Sequence, residues 1–156
     1  LDEGRRLEQE RVQLEEVVRE AVETARTVDP DRPIELELDH AAVLGDHERL
    51  RQIVDNLLAN ARLHTPPGTH ISVRLMRDDG TALIEVEDSG PGMRAAEVDR
   101  VFERFYRSDG SRSRETGGVG LGLSIVAAVA RAHGGSVGAS SEPGAGAAFR
   151  ITLPLA

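Results

Sequence analysis

The 156-residue chain contains no cysteine and no lysine, has few aromatics, and lacks any apolar run long enough to span a bilayer as a helix. Without cysteine there is no disulfide framework and no thiolate metal site. Without lysine, all 19 basic residues are arginine, so a phosphate would be met by guanidinium, main-chain N–H or metal. Aromatics make up 3% of the residues, and the core must therefore be built from Leu, Val, Ile and Ala. The N-terminus is charged rather than signal-like. A formal net charge of −8 argues against nucleic-acid binding by general surface attraction. The length suits one domain with a real core.

What is present is strongly patterned. Residues 1–11 are charged, lack a capping signal, and read as the tail of a longer upstream helix; residues 12–156 read as the domain itself. From Val12 on, Leu14, Val17, Val18, Ala21, Val22 and Ala25 form one helical face. The run Asp29-Pro30-Asp31-Arg32-Pro33 breaks that helix. Ile34, Leu36 and Leu38 then alternate with acidic residues as a half-buried strand, and Val43-Leu44 make a short extended piece. A second helix spans Asp46 to His64, with Asp46 as its N-cap and Leu50, Ile53, Val54, Leu57, Leu58 and Ala61 on its buried face. Two alternating strands follow, joined at Asp78-Asp79-Gly80 as a hairpin. A short helix carries Val98, Val101, Phe102 and Phe105. A polar loop and a glycine run lead to an apolar helix from Leu123 to Ala132, capped by Gly134-Gly135. Two closing strands flank a Glu142-Pro143-Gly144 turn. The predicted fold is a two-layer α/β sandwich, a mixed and mostly antiparallel sheet with helices packed on one face.

Three features carry chemistry. On the second helix Gln52, Asn56, Asn60 and His64 stack at four-residue steps. Asn is a poor interior helix residue, so Asn56 and Asn60 either lie on a solvated face or present amide oxygens to a ligand or metal ion. Asp88 lies on the apolar side of its strand's end, where it either closes an Asx turn with Ser89-Gly90 or reads an exocyclic amine such as adenine's. Gly90 and Gly92 would then let the main chain approach a flat base. The glycines of Gly117 to Gly122 open a helix, where free N–H groups and the helix dipole favour an anion. No Lys-Ser/Thr follows, so this is no P-loop, and the spacing departs from the dinucleotide fingerprint. Between these elements the arginines of Arg107, Arg112 and Arg114 could fold over a polyphosphate.

Together, in this order, the segments resemble the ATP-binding catalytic domain of two-component sensor histidine kinases, in the superfamily shared with gyrase, Hsp90-type chaperones and mismatch-repair ATPases. Asp46–His64 matches the N box, Asp88-Ser89-Gly90-Pro91-Gly92 the G1 box, Phe102-Glu103-Arg104-Phe105 the F box, and Gly118-Val119-Gly120-Leu121-Gly122 the G2 box. Gly144-Ala145-Gly146 matches a trailing glycine block. The resemblance implies a Bergerat-type ATP-binding fold with ATP and Mg²⁺ as ligands. It implies that Asn60 coordinates Mg²⁺ beside Asn56, that His64 lines the nucleotide where relatives often have Tyr, and that Asp88 binds the adenine amine with Gly90 and Gly92 close to the ring. It further implies that Arg107 reaches the γ-phosphate, and that Gly118, Val119, Gly120, Leu121, Gly122 and Leu123 line the phosphates and lid. Two positions depart from the pattern: Leu63 stands where many relatives have a basic residue, and Val119 where Thr is frequent.

The N box also indicates the reaction. Hydrolysing relatives keep a Glu base four residues before the metal-binding Asn; here that residue is Asn56, which takes no proton at neutral pH. Asp55 lies about 100° around the helix, off the stripe. The expectation is γ-phosphoryl transfer to a histidine on a separate dimerisation domain, of which residues 1–11 would be the last helix and linker, and from there to a response-regulator receiver. His47-Glu48 echoes an acceptor motif but lies inside the N-box helix, and His40, His70 and His133 read as surface or cap residues. The whole protein is expected to be a membrane-anchored homodimer with this domain cytoplasmic, monomeric alone, and without nucleic-acid partners. The alternatives are an ATP-hydrolysing conformational switch and a regulatory module that binds nucleotide without transfer.

Overall fold

A computed structural model describes residues 9–103 and 121–156. In chain order the elements are β1 (Glu10–Gln13), α1 (Leu14–Val28), β2 (Ile34–Leu38), β3 (Ala42–Gly45), α2 (His47–Leu63), β4 (Ile71–Asp78), β5 (Thr81–Asp88), α3 (Ala95–Val98), α4 (Leu121–Ala132), β6 (Ser136–Ser141) and β7 (Ala147–Pro154). Strands β2, β4, β5, β7 and β6 lie side by side in that order, and β1 pairs with β3 in a small second sheet. Only β2 and β4 of the large sheet run parallel; the other pairs are antiparallel. The mixed, mostly antiparallel two-layer sandwich is as expected.

The period of two explains the sheet's two faces. Ile71, Val73 and Leu75 of β4 align with Asp88, Val86 and Ile84 of β5, which align in turn with Ala147, Phe149 and Ile151 of β7. That face is sealed by α1 and α2, whose Val17, Val18, Leu50, Leu57 and neighbours are fully buried. The opposite face is polar. There Glu85 bridges two arginines, accepting from Arg74 on β4 and, at 3.4 Å, from Arg150 on β7. Polar residues across neighbouring strands thus satisfy each other where the sheet meets water.

The helix limits follow local chemistry. Asp46 accepts from the Arg49 N–H at 3.2 Å and starts α2 as the predicted N-cap. At the far end of α4, Gly134 takes a left-handed φ of 80° while the Gly135 N–H donates to the Ala130 carbonyl at 2.8 Å, a Schellman-type stop. Two boundaries differ from the reading of the sequence: α3 is helical only over Ala95–Val98, so Val101 and Phe102 lie in the turn after it rather than on the helix, and the start of α1 is displaced. Helical periodicity was legible from Val12, yet Glu10–Gln13 are extended and pair with Ala42–Gly45, burying Val12 opposite Val43. A four-residue strand cannot be told from the first turn of the following helix when both bury the same residues.

Candidate nucleotide site

The N-box stripe runs along α2, with Asn56 and Asn60 both half-buried. The Asn56 amide donates from Nδ2 to the Gly122 carbonyl at 3.2 Å, joining the middle of α2 to the first turn of α4. His64 caps α2, its N–H donating to the Asn60 carbonyl at 3.1 Å. The residue is exposed overall, yet the surrounding protein displaces enough water to lower its pKa, an effect partly offset by the Asp88 charge. Leu63 is turned outward and exposed.

Asp88 ends β5 on the helix-facing side and is buried. Of the two readings of this residue, the Asx turn is present. Its Oδ1 accepts from the Gly90 N–H at 2.9 Å. Burial raises its pKa, while the Gly90 and Ala147 N–H groups, Arg32 and His64 pull it back down. A buried carboxylate with such surroundings is a functional-site candidate on physical grounds.

The G1 loop is fastened by a part of the chain that sequence reading left out of the site. The β6–β7 turn packs directly on it: the Met93 N–H donates to Ser141 Oγ at 2.7 Å, Ser141 Oγ donates to the Gly146 carbonyl at 2.6 Å, and the Gly144 N–H donates to the Pro91 carbonyl at 2.5 Å. Gly92 has φ of 78°, and a side chain there would collide with the Glu142 carbonyl. Its glycine is therefore demanded by this turn, whatever a base requires in addition. Gly90 is pressed from the other side, where a Cβ would come within 2.7 Å of Thr65 Cγ2.

Of the F box, Phe102 packs edge-on against Phe149 with ring centroids 6.1 Å apart. Leu123 is half-buried against the core, and Gly122 is exposed. Arg104, Phe105, Arg107, Arg112, Arg114, Gly118, Val119 and Gly120 lie outside the described residues, as does the Leu121 side chain. His47 meets Glu20 of α1 at 3.1 Å on the surface, and His40 meets Glu15 at 3.1 Å. His133 is no surface residue: it is buried at the end of α4 and accepts from the Asp46 N–H at 3.1 Å. Sequence spacing offered no signal for this contact, whose partners lie 87 residues apart.

Residues 45–156 match the family described as histidine kinase-, DNA gyrase B-, and HSP90-like ATPase. The chain belongs to that family. Within it, the likeness is to sensor histidine kinases. The chain is 46% identical over 157 residues to the probable sensor histidine kinase TcrY of Mycobacterium tuberculosis, covering 99% of this chain and 33% of that protein. The solved mycobacterial sensor histidine kinase MprB superposes with a TM-score of 0.85 at 37% identity, covering 94% of this chain and 98% of that one. The ATP-binding domain of PrrB from Mycobacterium tuberculosis gives 0.77 at 27% identity, covering 96% and 98%. This is an ATP-binding domain of the protein-histidine kinase catalytic type, in keeping with two-component signalling. The chain spans about a third of the length of the curated relatives it matches. No helix among the described residues is long and apolar enough to cross a membrane.

Proposed function

We propose that this histidine-kinase domain binds Mg·ATP between α2, the G1 loop and α4, and transfers the γ-phosphoryl group to a histidine on the dimerisation domain of the same protein. A response-regulator receiver would then take the phosphoryl group. In this reading the full protein is a membrane-anchored homodimer with the domain in the cytoplasm, and residues 1–11 lead in from the acceptor-bearing helix.

The observation that carries the choice of transfer over hydrolysis is Asn56. It occupies the helical position one turn before Asn60, where a hydrolase needs a carboxylate base, and its amide is engaged as a donor to Gly122. Nothing in that side chain can take a proton from water. Catalysis then rests on positioning and charge stabilisation, which is what phosphoryl transfer chiefly requires.

The residues fit the ligands chemically. Asp88, buried and facing the helix layer, would accept from the adenine amine. Asn60 would give its amide oxygen to Mg²⁺, with phosphate oxygens and water completing the shell of a hard ion that needs no dedicated carboxylate cage. Bound there, the ion would neutralise phosphate charge. Asn56, Gly118, Gly120, Gly122 and Arg107 would border the phosphates, Gly92 the base, and His64 the adenosine. Labelled ATP, the domain and a purified acceptor hairpin test the proposal together. Label on the hairpin histidine, with little ATP turnover by the domain alone, is expected; turnover without histidine label would favour the hydrolytic switch.

A further inference from the structure

Arg32 lies in the break between α1 and β2, outside every nucleotide-binding motif. Its side chain is only 3% exposed. A buried guanidinium must satisfy its donors or cost several kcal/mol, and this one does so by gathering a distant segment. Nε donates to Asp29 Oδ2 at 3.2 Å. Nη1 donates to Thr65 Oγ1 at 2.9 Å, to the Pro66 carbonyl at 2.9 Å and to the Thr69 carbonyl at 3.0 Å, and Nη2 donates to the Arg62 carbonyl at 3.2 Å. Every contact but Asp29 belongs to the end of α2 and the loop after it.

That loop is the back wall of the G1 turn. Thr65 Oγ1 donates to the Ala61 carbonyl at 2.7 Å, so Arg32 and α2 fix its hydroxyl from both sides. Its methyl then stands against Gly90, whose N–H holds Asp88 Oδ1. Five residues further on, the His70 carbonyl accepts from the Ser89 N–H at 3.2 Å. Four of the five acceptors are neutral or part of the main chain, and the one charged partner, Asp29, is partly open to water.

We infer that Arg32 is a positioning residue for base recognition: it braces the wall behind Asp88 and adds its positive charge to the surroundings of the carboxylate that would read adenine. An ionised carboxylate accepts from an exocyclic amine and repels the carbonyl oxygen that guanine presents at the same place, whereas a protonated carboxyl can donate to that oxygen. Selectivity for adenine therefore depends on the ionisation of Asp88. Burial works against ionisation; the Gly90 and Ala147 N–H groups, and after them the Arg32 and His64 charges, work for it. This inference rests on the assignment of Asp88 as the adenine reader.

The test is titration of Mg·ATP and Mg·GTP into wild type, Arg32→Met, Arg32→Lys and Asp88→Asn from neutral to mildly acidic pH, with circular dichroism confirming folding. Arg32→Met is expected to weaken ATP binding about tenfold, reduce the preference for ATP over GTP by a similar factor, and lose ATP affinity at a higher pH than wild type. Arg32→Lys, which keeps the charge without the planar fork, is expected to lose affinity for both nucleotides while retaining the preference and the acid limb. A folded Arg32→Met with wild-type preference and acid limb overturns the inference. If Arg32→Met does not fold, unchanged affinities in Arg32→Lys overturn it. Asp88→Asn separates the two layers: normal ATP binding there removes the adenine assignment and this inference with it, whereas lost binding combined with wild-type behaviour of the Arg32 variants removes the inference alone.

Discussion

The ring of His133 joins the last turn of α4 to the residue that opens α2. Its Nε2 accepts from the Asp46 N–H at 3.1 Å and its Nδ1 donates to the Val129 carbonyl at 2.8 Å, a pairing that a neutral ring protonated on Nδ1 satisfies at both nitrogens. Asp46 in turn holds the first turn of α2 through the Arg49 N–H. The helix that carries Asn56 and Asn60 and the helix that follows the glycine run are thereby fixed to each other at their outer ends, while the Asn56–Gly122 bond ties them near the cleft.

His133→Ala should accordingly destabilise the domain by about 2–3 kcal/mol, through a stranded Asp46 N–H and a cavity beside Gly45. Urea denaturation measures this. A loss below about 0.5 kcal/mol would mean that the bridge does little for stability.

Asn60→Ala is expected to weaken Mg·ATP binding by about tenfold or more while leaving metal-free ATP affinity nearly unchanged. Calorimetry with and without EDTA separates the two. Unchanged Mg·ATP affinity would remove Asn60 from the metal assignment.

Asp88→Asn should cost ATP affinity about 10- to 100-fold, since a charge-assisted bond becomes a neutral one that can also present the wrong group. Its effect on the empty domain is different in sign. Burial raises the Asp88 pKa above its usual 3.8, so the folded state holds the proton more tightly than the unfolded one. The contribution of Asp88 to stability is then greatest in acid, declines as pH climbs above 3.8 through the folded value, and is constant beyond it. The stability difference between wild type and Asp88→Asn, followed by thermal melts across acidic pH, should show that slope; the opposite slope would refute the assignment of burial as the dominant influence.

His64 runs the other way. Its folded pKa lies below the usual 6.5, so the favourable neutral state is fully present above that value and stability is lost as pH falls through 6.5 toward the folded value. His64→Gln should flatten this part of the profile. Because the ring is partly open to water, the change is expected to be small, and melts at low salt are the sensitive measurement.

The sequence by itself determined most of the elements and their faces. The heptad-like spacing of Leu50, Ile53, Val54, Leu57 and Leu58 put Asn56 and Asn60 on the remaining side of α2, and strict alternation in β5 put Asp88 on the helix-facing side, because side-chain direction follows from backbone period alone. The ordered boxes added the family. What tertiary structure decided is what holds those residues in place. Arg32 reaches acceptors 30 to 37 residues away, His133 reaches across 87, and Ser141 across 48 to the Met93 N–H. The strand at Glu10–Gln13 exists only because Ala42–Gly45 offers it a ladder. Periodicity reports which way a side chain points from its own element; the partner it meets is set by how the elements pack, and a buried donor such as Arg32 acquires its role only when folding brings its acceptors together.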